Sequence, residues 1–400
     1  MDRRCIMIGV SKLLCGTESF GDKLRYTHGA NEAKHGVSLD RGPVVVWNCT
    51  RTCNLKCKHC YADSDNKKYE GELTTYEGKK LIEDLHHFNV PVILFSGGEP
   101  LIRDDILDLV DYARRYNIRS TISTNGTLID KEMARKLKER KVGYVGVSLD
   151  GIGKRHDDFR GSRGAFDSAL QGIRNCQEAH QKVGLRFTIN SNNYDELEEI
   201  FYLVKEEKIK RVCFYHLVYS GRGSEMMKED ISHEETRRAM NIIINNAMKL
   251  GSEVEILTVD NHADTVYLYL EAEKKYPHLS QNILNLMKMN GGNRSGIAIA
   301  NIDYKGDVHS DQFTTQYTFG NVKERNFKDI WTDISNPILA GLKDRKRLLK
   351  GRCSKCKWLN VCNGNFRSRA EVVTGDFWAS DPACYLTDEE IGVGEKLGLV

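Results

Sequence analysis

Between residues 44 and 217, short β-branched or aromatic runs alternate with stretches of helical periodicity, and this alternation leaves the chain few architectures. The strand candidates are 44–47, 92–95, 120–123, 144–148, 185–189 and 212–217. Between them, Leu81, Ile82, Leu85 and Phe88 share one helix face after a Thr74/Thr75 start. Ile106, Leu107, Val110 and Ala113 share another, Met133 and Leu137 mark a more charged helix, and Leu197, Ile200, Phe201 and Val204 a further one. Six strands alternating with helices predict a parallel sheet with right-handed crossovers. A doubly wound sheet and an incomplete barrel both satisfy the pattern. Residues 1–40 read as an irregular arm with one short element at most, and 41–222 as the α/β unit. After Gly223 the pattern changes: helix over 225–250, strands at 252–259 and 296–303, a turn into a helix over 320–331, and a cysteine-rich tail. Residues 223–400 therefore read as a second, smaller α+β region.

Bulk composition excludes several function classes. The 59 basic residues against 56 acidic ones leave a net charge of +3, which argues against a strongly basic nucleic-acid binder. A hydrophobic share of 40% excludes a disordered chain. No apolar run approaches the roughly 18 residues that a membrane span requires. The apolar stretch near the start is interrupted by Ser11 and Lys12, which argues against a signal peptide, so the expected location is cytoplasmic. Twelve cysteines are then anomalous. Disulfides do not persist in a reducing compartment, and clustered cysteines there point to metal or redox chemistry.

Eight of the twelve fall in two short regions, 49–60 and 353–384. Of the others, Cys176 and Cys213 lie in helical and strand-like apolar runs and read as small core residues. Cys53, Cys57 and Cys60 follow the first strand directly, where parallel α/β folds place ligand sites. Their spacing suits a loop wrapped around a compact inorganic centre. Three thiolates can hold three irons of a [4Fe–4S] cluster and leave the fourth open to substrate or cofactor. The competing reading is zinc shared between Cys57/Cys60 and Cys353/Cys356, which leaves Cys53 without a role. Cys49 falls outside the 3-then-2 spacing and reads as a bystander, and His59 as a packing residue.

The segment CNLKCKHCY (53–61) resembles the cluster motif of the radical S-adenosylmethionine (SAM) superfamily, with Tyr61 as the aromatic neighbour of the last cysteine. The second strand runs into Ser96-Gly97-Gly98-Glu99-Pro100, which resembles that family's SAM-binding turn. The resemblance implies that Gly97, Gly98 and Glu99 meet the methionine ammonium, glycine permitting close backbone approach and a carboxylate accepting charge-assisted hydrogen bonds. It further implies that Ser123, Asn125, Ser148 and Arg160, with Thr124 and Asp150 nearby, hold the SAM ribose and carboxylate. As plain structure, Asn125-Gly126 and Asp150-Gly151 are turns. The implied fold is a partial (β/α)6 barrel.

Cys353, Cys356, Cys362 and Cys384 resemble the C-terminal auxiliary-cluster domain called SPASM or, when shortened, twitch. Four thiolates suit a fully ligated cluster, with structural zinc as the alternative. The full domain holds two auxiliary clusters and needs two further cysteines, but Asp311 and Phe366 stand at those positions. The expectation is two [4Fe–4S] clusters in all, one binding SAM and one auxiliary, with His309 or Asp311 as an unusual ligand the remaining alternative.

The stretches 7–26 and 44–57 resemble the tetrapyrrole-modifying group of the superfamily, which serves haem d1 synthesis and the siroheme-dependent haem pathway. Val10-Ser11-Lys12-Leu13-Leu14-Cys15-Gly16 is most similar to the deacetylase branch. That resemblance implies an iron-isobacteriochlorin substrate, 12,18-didecarboxysiroheme, losing two acetate arms to give iron-coproporphyrin III through hydrogen abstraction by a 5′-deoxyadenosyl radical. It also implies a ferredoxin or flavodoxin electron donor and neither a nucleic-acid nor a membrane partner. Open alternatives are oxidative decarboxylation of iron-coproporphyrin III, peptide modification, and a non-catalytic iron–sulfur or zinc regulator. Lys12, Arg25, Arg222 and Arg294 are candidate partners for the substrate's carboxylates, and Cys15 and His28 could approach its iron.

Overall fold

The computed structural model describes residues 7–19, 21–26 and 42–394; Cys5 and His28 lie outside them. One ten-stranded sheet organises the molecule. Its strands are β1 (Met7–Gly9), β2 (Val44–Thr50), β3 (Val92–Gly97), β4 (Arg119–Thr124), β5 (Val145–Ser148), β6 (Val183–Ile189), β7 (Arg211–His216), β8 (Glu255–Val259), β9 (Ile299–Ile302) and β10 (Val308–His309). Strands β2 to β8 pair in sequence order and in parallel, as right-handed helical crossovers require. Side chains from β2, β3, β4, β6, β7, β8 and β9 line one interior cavity, so the sheet curls into a partial barrel.

The helices form where the periodicity places them. Helix Thr75–His87 opens with a capping box: Thr74 Oγ1 accepts from Glu77 N at 3.2 Å and Glu77 Oε2 accepts from Thr74 N at 2.8 Å. Leu81, Ile82 and Leu85 then face the sheet with Ile106, Leu109 and Val110 of the next helix. The strand interiors are almost wholly buried because helices cover the outer face and the inner one turns into the barrel.

The structure differs from the sequence reading at both ends. The sheet does not stop near residue 223. The unit formed by helix His233–Leu250 and β8 extends it, and β9, read from sequence as part of a separate region, pairs in parallel with β2. Without β9 the strand that precedes the first cysteines would be an open edge. The opening segment is not irregular over residues 7–15: β1 pairs antiparallel with β8 and leads into helix Val10–Cys15. Cysteines 353–384 lie in short helices and turns packed on this body. No helix among the described residues is long and apolar enough to cross a membrane.

Candidate active site

A chamber opens at the C-terminal ends of the parallel strands, the usual ligand position in such folds. Cys53, Cys57 and Cys60 form part of its wall, together with Tyr61, Gly97, Gly98, Ser123, Asn125, Ser148 and Arg160. These residues come from β2 to β5 and the segments that follow them, so the barrel assembles the candidates named from sequence. Glu99 is the exception. Its carboxylate is fully buried, outside the chamber wall, and accepts from Leu101 N (3.1 Å), Thr124 Oγ1 (2.8 Å) and Asn125 N (2.8 Å). Burial raises its pKa against these donors. Glu99 ties the β3 turn to the end of β4.

The glycines before it have a demonstrable steric cause. Gly98 N donates to Thr50 O at 2.8 Å and Glu99 N to Thr52 O at 2.9 Å. A Cβ on Gly97 or Gly98 would overlap those carbonyl oxygens, and Gly97 also has φ +121°. The turn thereby holds the start of the cysteine loop. Arg222 holds its other end, donating to Cys57 O and Ser64 O (both 2.9 Å) and pairing with Asp63 at 2.8 Å. That binding corrects the expectation that Arg222 is available to a substrate.

Each of the three sulfurs accepts a hydrogen bond: Cys53 from Leu55 N, Cys57 from Arg160 Nη1 and Cys60 from Ser64 N, all at 3.4 Å. Donors aimed at sulfur stabilise thiolate ligands and set cluster potential. Arg160 also forms a buried ion pair with Asp150, whose other oxygen accepts from Thr188 N at 2.7 Å. Arg160 thus serves the cysteine loop while also lining the chamber. Asn125 bonds Asn54 Oδ1 at 2.8 Å and closes its own turn on Thr127. Tyr61 Oη is 2.8 Å from Ser96 Oγ and 3.1 Å from Asn48 Oδ1. Ser123 accepts from Arg186, while Ser148 Oγ has no partner among the described residues. His59 stacks on Phe159, 4.8 Å between centroids, and its Nδ1 is buried without a partner. Three thiols, wall hydroxyls and orphaned buried nitrogens fit a polar cofactor bound at a thiolate-held centre.

Sequence reasoning missed three groups in this wall: Arg186, His216 and Asp260. His216 Nε2 lies 2.8 Å from Asp264 Oδ2. Asp260 follows β8 directly in the left-handed region (φ +69°), and burial pushes its carboxyl up to about 7 despite nearby Arg369 and Arg186. Their shared signal was a polar residue at or inside a buried strand.

Cys353, Cys356, Cys362 and Cys384 surround a second cavity with Trp358, Asn365 and Asp381. At the two substituted positions the room is filled. Asp311 Oδ1 caps a turn, accepting from Phe313 N (2.9 Å) and Thr314 N (3.1 Å). Phe366 is buried against Phe313 (5.7 Å), His262 (6.3 Å) and the Arg369 guanidinium (5.3 Å). His309 Nδ1 is 2.9 Å from Tyr317 O. Of the remaining candidates, Cys49 is buried in the core, Cys15 Sγ donates to Ala247 O at 3.4 Å, and neither Lys12 nor Arg294 lines the chamber.

The family model of the radical SAM superfamily matches residues 47–249. The Fe-coproporphyrin III synthase of Methanosarcina barkeri is 56% identical over 398 residues, covering 97% of this chain and all of that protein. The pre-heme d1 synthase of Dinoroseobacter shibae is 45% identical over 89% of each chain. Among solved structures, Streptococcus suis SuiB bound to S-adenosylmethionine superimposes with a TM-score of 0.68 over 87% of this chain and 78% of SuiB, at 20% identity, a likeness of fold.

Proposed function

The chain belongs to the radical SAM superfamily, and on that premise we propose that it removes the two acetate arms of 12,18-didecarboxysiroheme to give iron-coproporphyrin III. The observation that carries this reading is the 56% identity, over essentially both full lengths, to a protein named for making iron-coproporphyrin III. Cys53, Cys57 and Cys60 hold the SAM-binding [4Fe–4S] cluster. Cys353, Cys356, Cys362 and Cys384 hold a second, auxiliary one, a reading supported by their shared cavity and by the filled positions at Asp311 and Phe366. When bound, the first cluster and SAM supply abstraction of a hydrogen atom from an unreactive carbon.

The chain's own residues set where that hydrogen is taken. Tyr61, Gly97, Gly98, Ser123, Asn125 and Ser148 shape the chamber around the cofactor, and Glu99 and Arg160 hold those walls in place. Enclosure in the barrel keeps water from the reacting carbon. In the substrate, each acetate arm stands on a saturated ring carbon beside a carbon bearing hydrogen. Loss of that hydrogen lets the arm leave with formation of a ring double bond. The departing CH2COO− unit takes up one electron and one proton to become acetate. The electron originates from a donor of the ferredoxin or flavodoxin class, and the proton can come from His216 or Asp260 in the chamber wall. Deuterium at the neighbouring ring carbon is expected in the 5′-deoxyadenosine product; label retained in the macrocycle would refute that hydrogen as the target.

A further inference from the structure

Strand β7 ends at His216, and the imidazole forms part of the chamber wall. It also lines a second cavity. Among the described residues, His216 alone belongs to both walls. The second cavity is polar, with Asp230, Glu235 and Thr236 in its wall, and it reaches the surface at Ser232 and His233, which are exposed. Its volume of about 360 Å³ has room for several water molecules. One side chain thus borders both a water-accessible space and the space beside the three cysteines.

The ring is held in that position by a chain of hydrogen bonds. Nε2 lies 2.8 Å from Asp264 Oδ2, and the other oxygen of Asp264 accepts from Tyr385 Oη at 2.8 Å. Asp264 comes from helix Ala263–Lys275, and both it and Tyr385 are buried. Nδ1 of His216 meets no partner among the described residues. An imidazole with one nitrogen on a carboxylate can take up and give back a proton at the other. The surrounding charges favour the protonated form. Burial and Arg369 oppose a charge on the ring, but Asp264 and Asp230 outweigh them and hold its pKa above the usual histidine value. Asp260 of the chamber wall is a further acid near the ring, and Tyr219 donates to Asp230 at 2.7 Å.

Resting on the deacetylation reading above, we infer that His216 carries protons from the water-accessible cavity into the chamber and is the acid that completes each acetate, with Asp264 and Tyr385 as its positioning residues. Two arms leave each macrocycle, so the acid acts twice and must be reloaded while the chamber excludes water. His216 borders the cavity that can reload it, whereas Asp260 lines the chamber alone. At each arm the bond from the ring carbon to the CH2 group breaks homolytically. One electron of that bond enters the new ring double bond, and the other stays on the CH2COO− fragment. An electron from a ferredoxin- or flavodoxin-class donor and a proton from the imidazolium then form the new C–H bond of acetate. Water in the second cavity returns a proton to the neutral imidazole.

The test uses the full reconstituted protein with SAM, dithionite and 12,18-didecarboxysiroheme, and reads the acetate formed for each 5′-deoxyadenosine. In deuterium oxide the wild type is expected to give acetate carrying one solvent deuterium. Acetate without solvent deuterium overturns the assignment and needs no variant to fold. His216→Gln is expected to lower acetate per 5′-deoxyadenosine about tenfold or more. Asp264→Asn is expected to move the alkaline limb of acetate formation down by about one pH unit or more, and Asp264→Glu to restore most of it. The carbon-13 resonance of the ring in histidine-labelled, oxidised protein, assigned by its loss in His216→Gln, should titrate with the same displacement in the absence of turnover. A ratio unchanged in His216→Gln, or a limb and a resonance unmoved in Asp264→Asn, overturns the assignment. These results leave the deacetylation reading standing as long as the wild type forms acetate, whereas no acetate from the wild type overturns that reading and the assignment with it.

Discussion

Arg160 Nη1 donates to the Cys57 sulfur at 3.4 Å while Nη2 of the same guanidinium pairs with Asp150. A buried cation is thus fixed against one of the three thiols of the cysteine loop, and a buried carboxylate at its back keeps it there. Positive charge and a hydrogen bond at the sulfur favour the reduced, more negative state of a cluster held by that sulfur.

Replacing Arg160 should therefore lower the midpoint potential of the SAM-binding cluster. The expected fall in Arg160→Gln is about 60 mV for each 1.4 kcal/mol of stabilisation lost. Redox titration followed by electron paramagnetic resonance measures it, and an unchanged potential would refute the tuning role.

Gly98→Ala should strip the first cluster and spare the second. The added methyl overlaps the Thr52 carbonyl and must push the start of the cysteine loop aside. Iron in the reconstituted protein should fall from about eight atoms per chain to about four, with SAM cleavage lost.

Iron analysis also decides the number of clusters. Two [4Fe–4S] clusters give about eight irons per chain, and Cys356→Ala should remove about four of them. About twelve irons in the wild type, or stoichiometric zinc, would contradict the account of the cavity around Cys353, Cys356, Cys362 and Cys384.

Asp260 makes a pH prediction with a definite sign. Burial raises its carboxyl to about 7, above the unfolded value near 3.8, although Arg369, Arg186 and His216 favour ionisation and Asp311 opposes it. A raised folded-state pKa means that the folded chain holds this proton more tightly than the unfolded chain does. Its contribution is fully present below about pH 4 and is lost as pH rises toward and through 7. Asp260→Asn should remove that loss. The melting temperature of the variant should gain on the wild type between pH 5 and pH 8, compared at those about-equally spaced ends of the window; parallel curves would contradict it.

What was legible in the sequence was local. The strands were legible because a parallel sheet covered on both faces demands runs of β-branched and aromatic residues, as at Val45, Val46 and Trp47. The cysteine loop was legible because its three thiols lie within eight positions of chain. Roles set by distant partners were not. Nothing near Arg160 announces Cys57, 103 residues earlier, and nothing near β2 announces β9. The bonds of Glu99 to Leu101, Thr124 and Asn125 were not legible either, because a motif names a residue without saying which way its carboxylate turns. Arg186 in the chamber wall left one usable trace: it sits between Leu185 and Phe187 inside a buried strand, where a cation needs a partner.

The central claim is the reaction. Reconstituted protein, dithionite, SAM and 12,18-didecarboxysiroheme, incubated without oxygen and read by mass spectrometry, should yield iron-coproporphyrin III, acetate and 5′-deoxyadenosine. Recovery of the didecarboxysiroheme unchanged, together with carbon dioxide loss from added iron-coproporphyrin III, would contradict it.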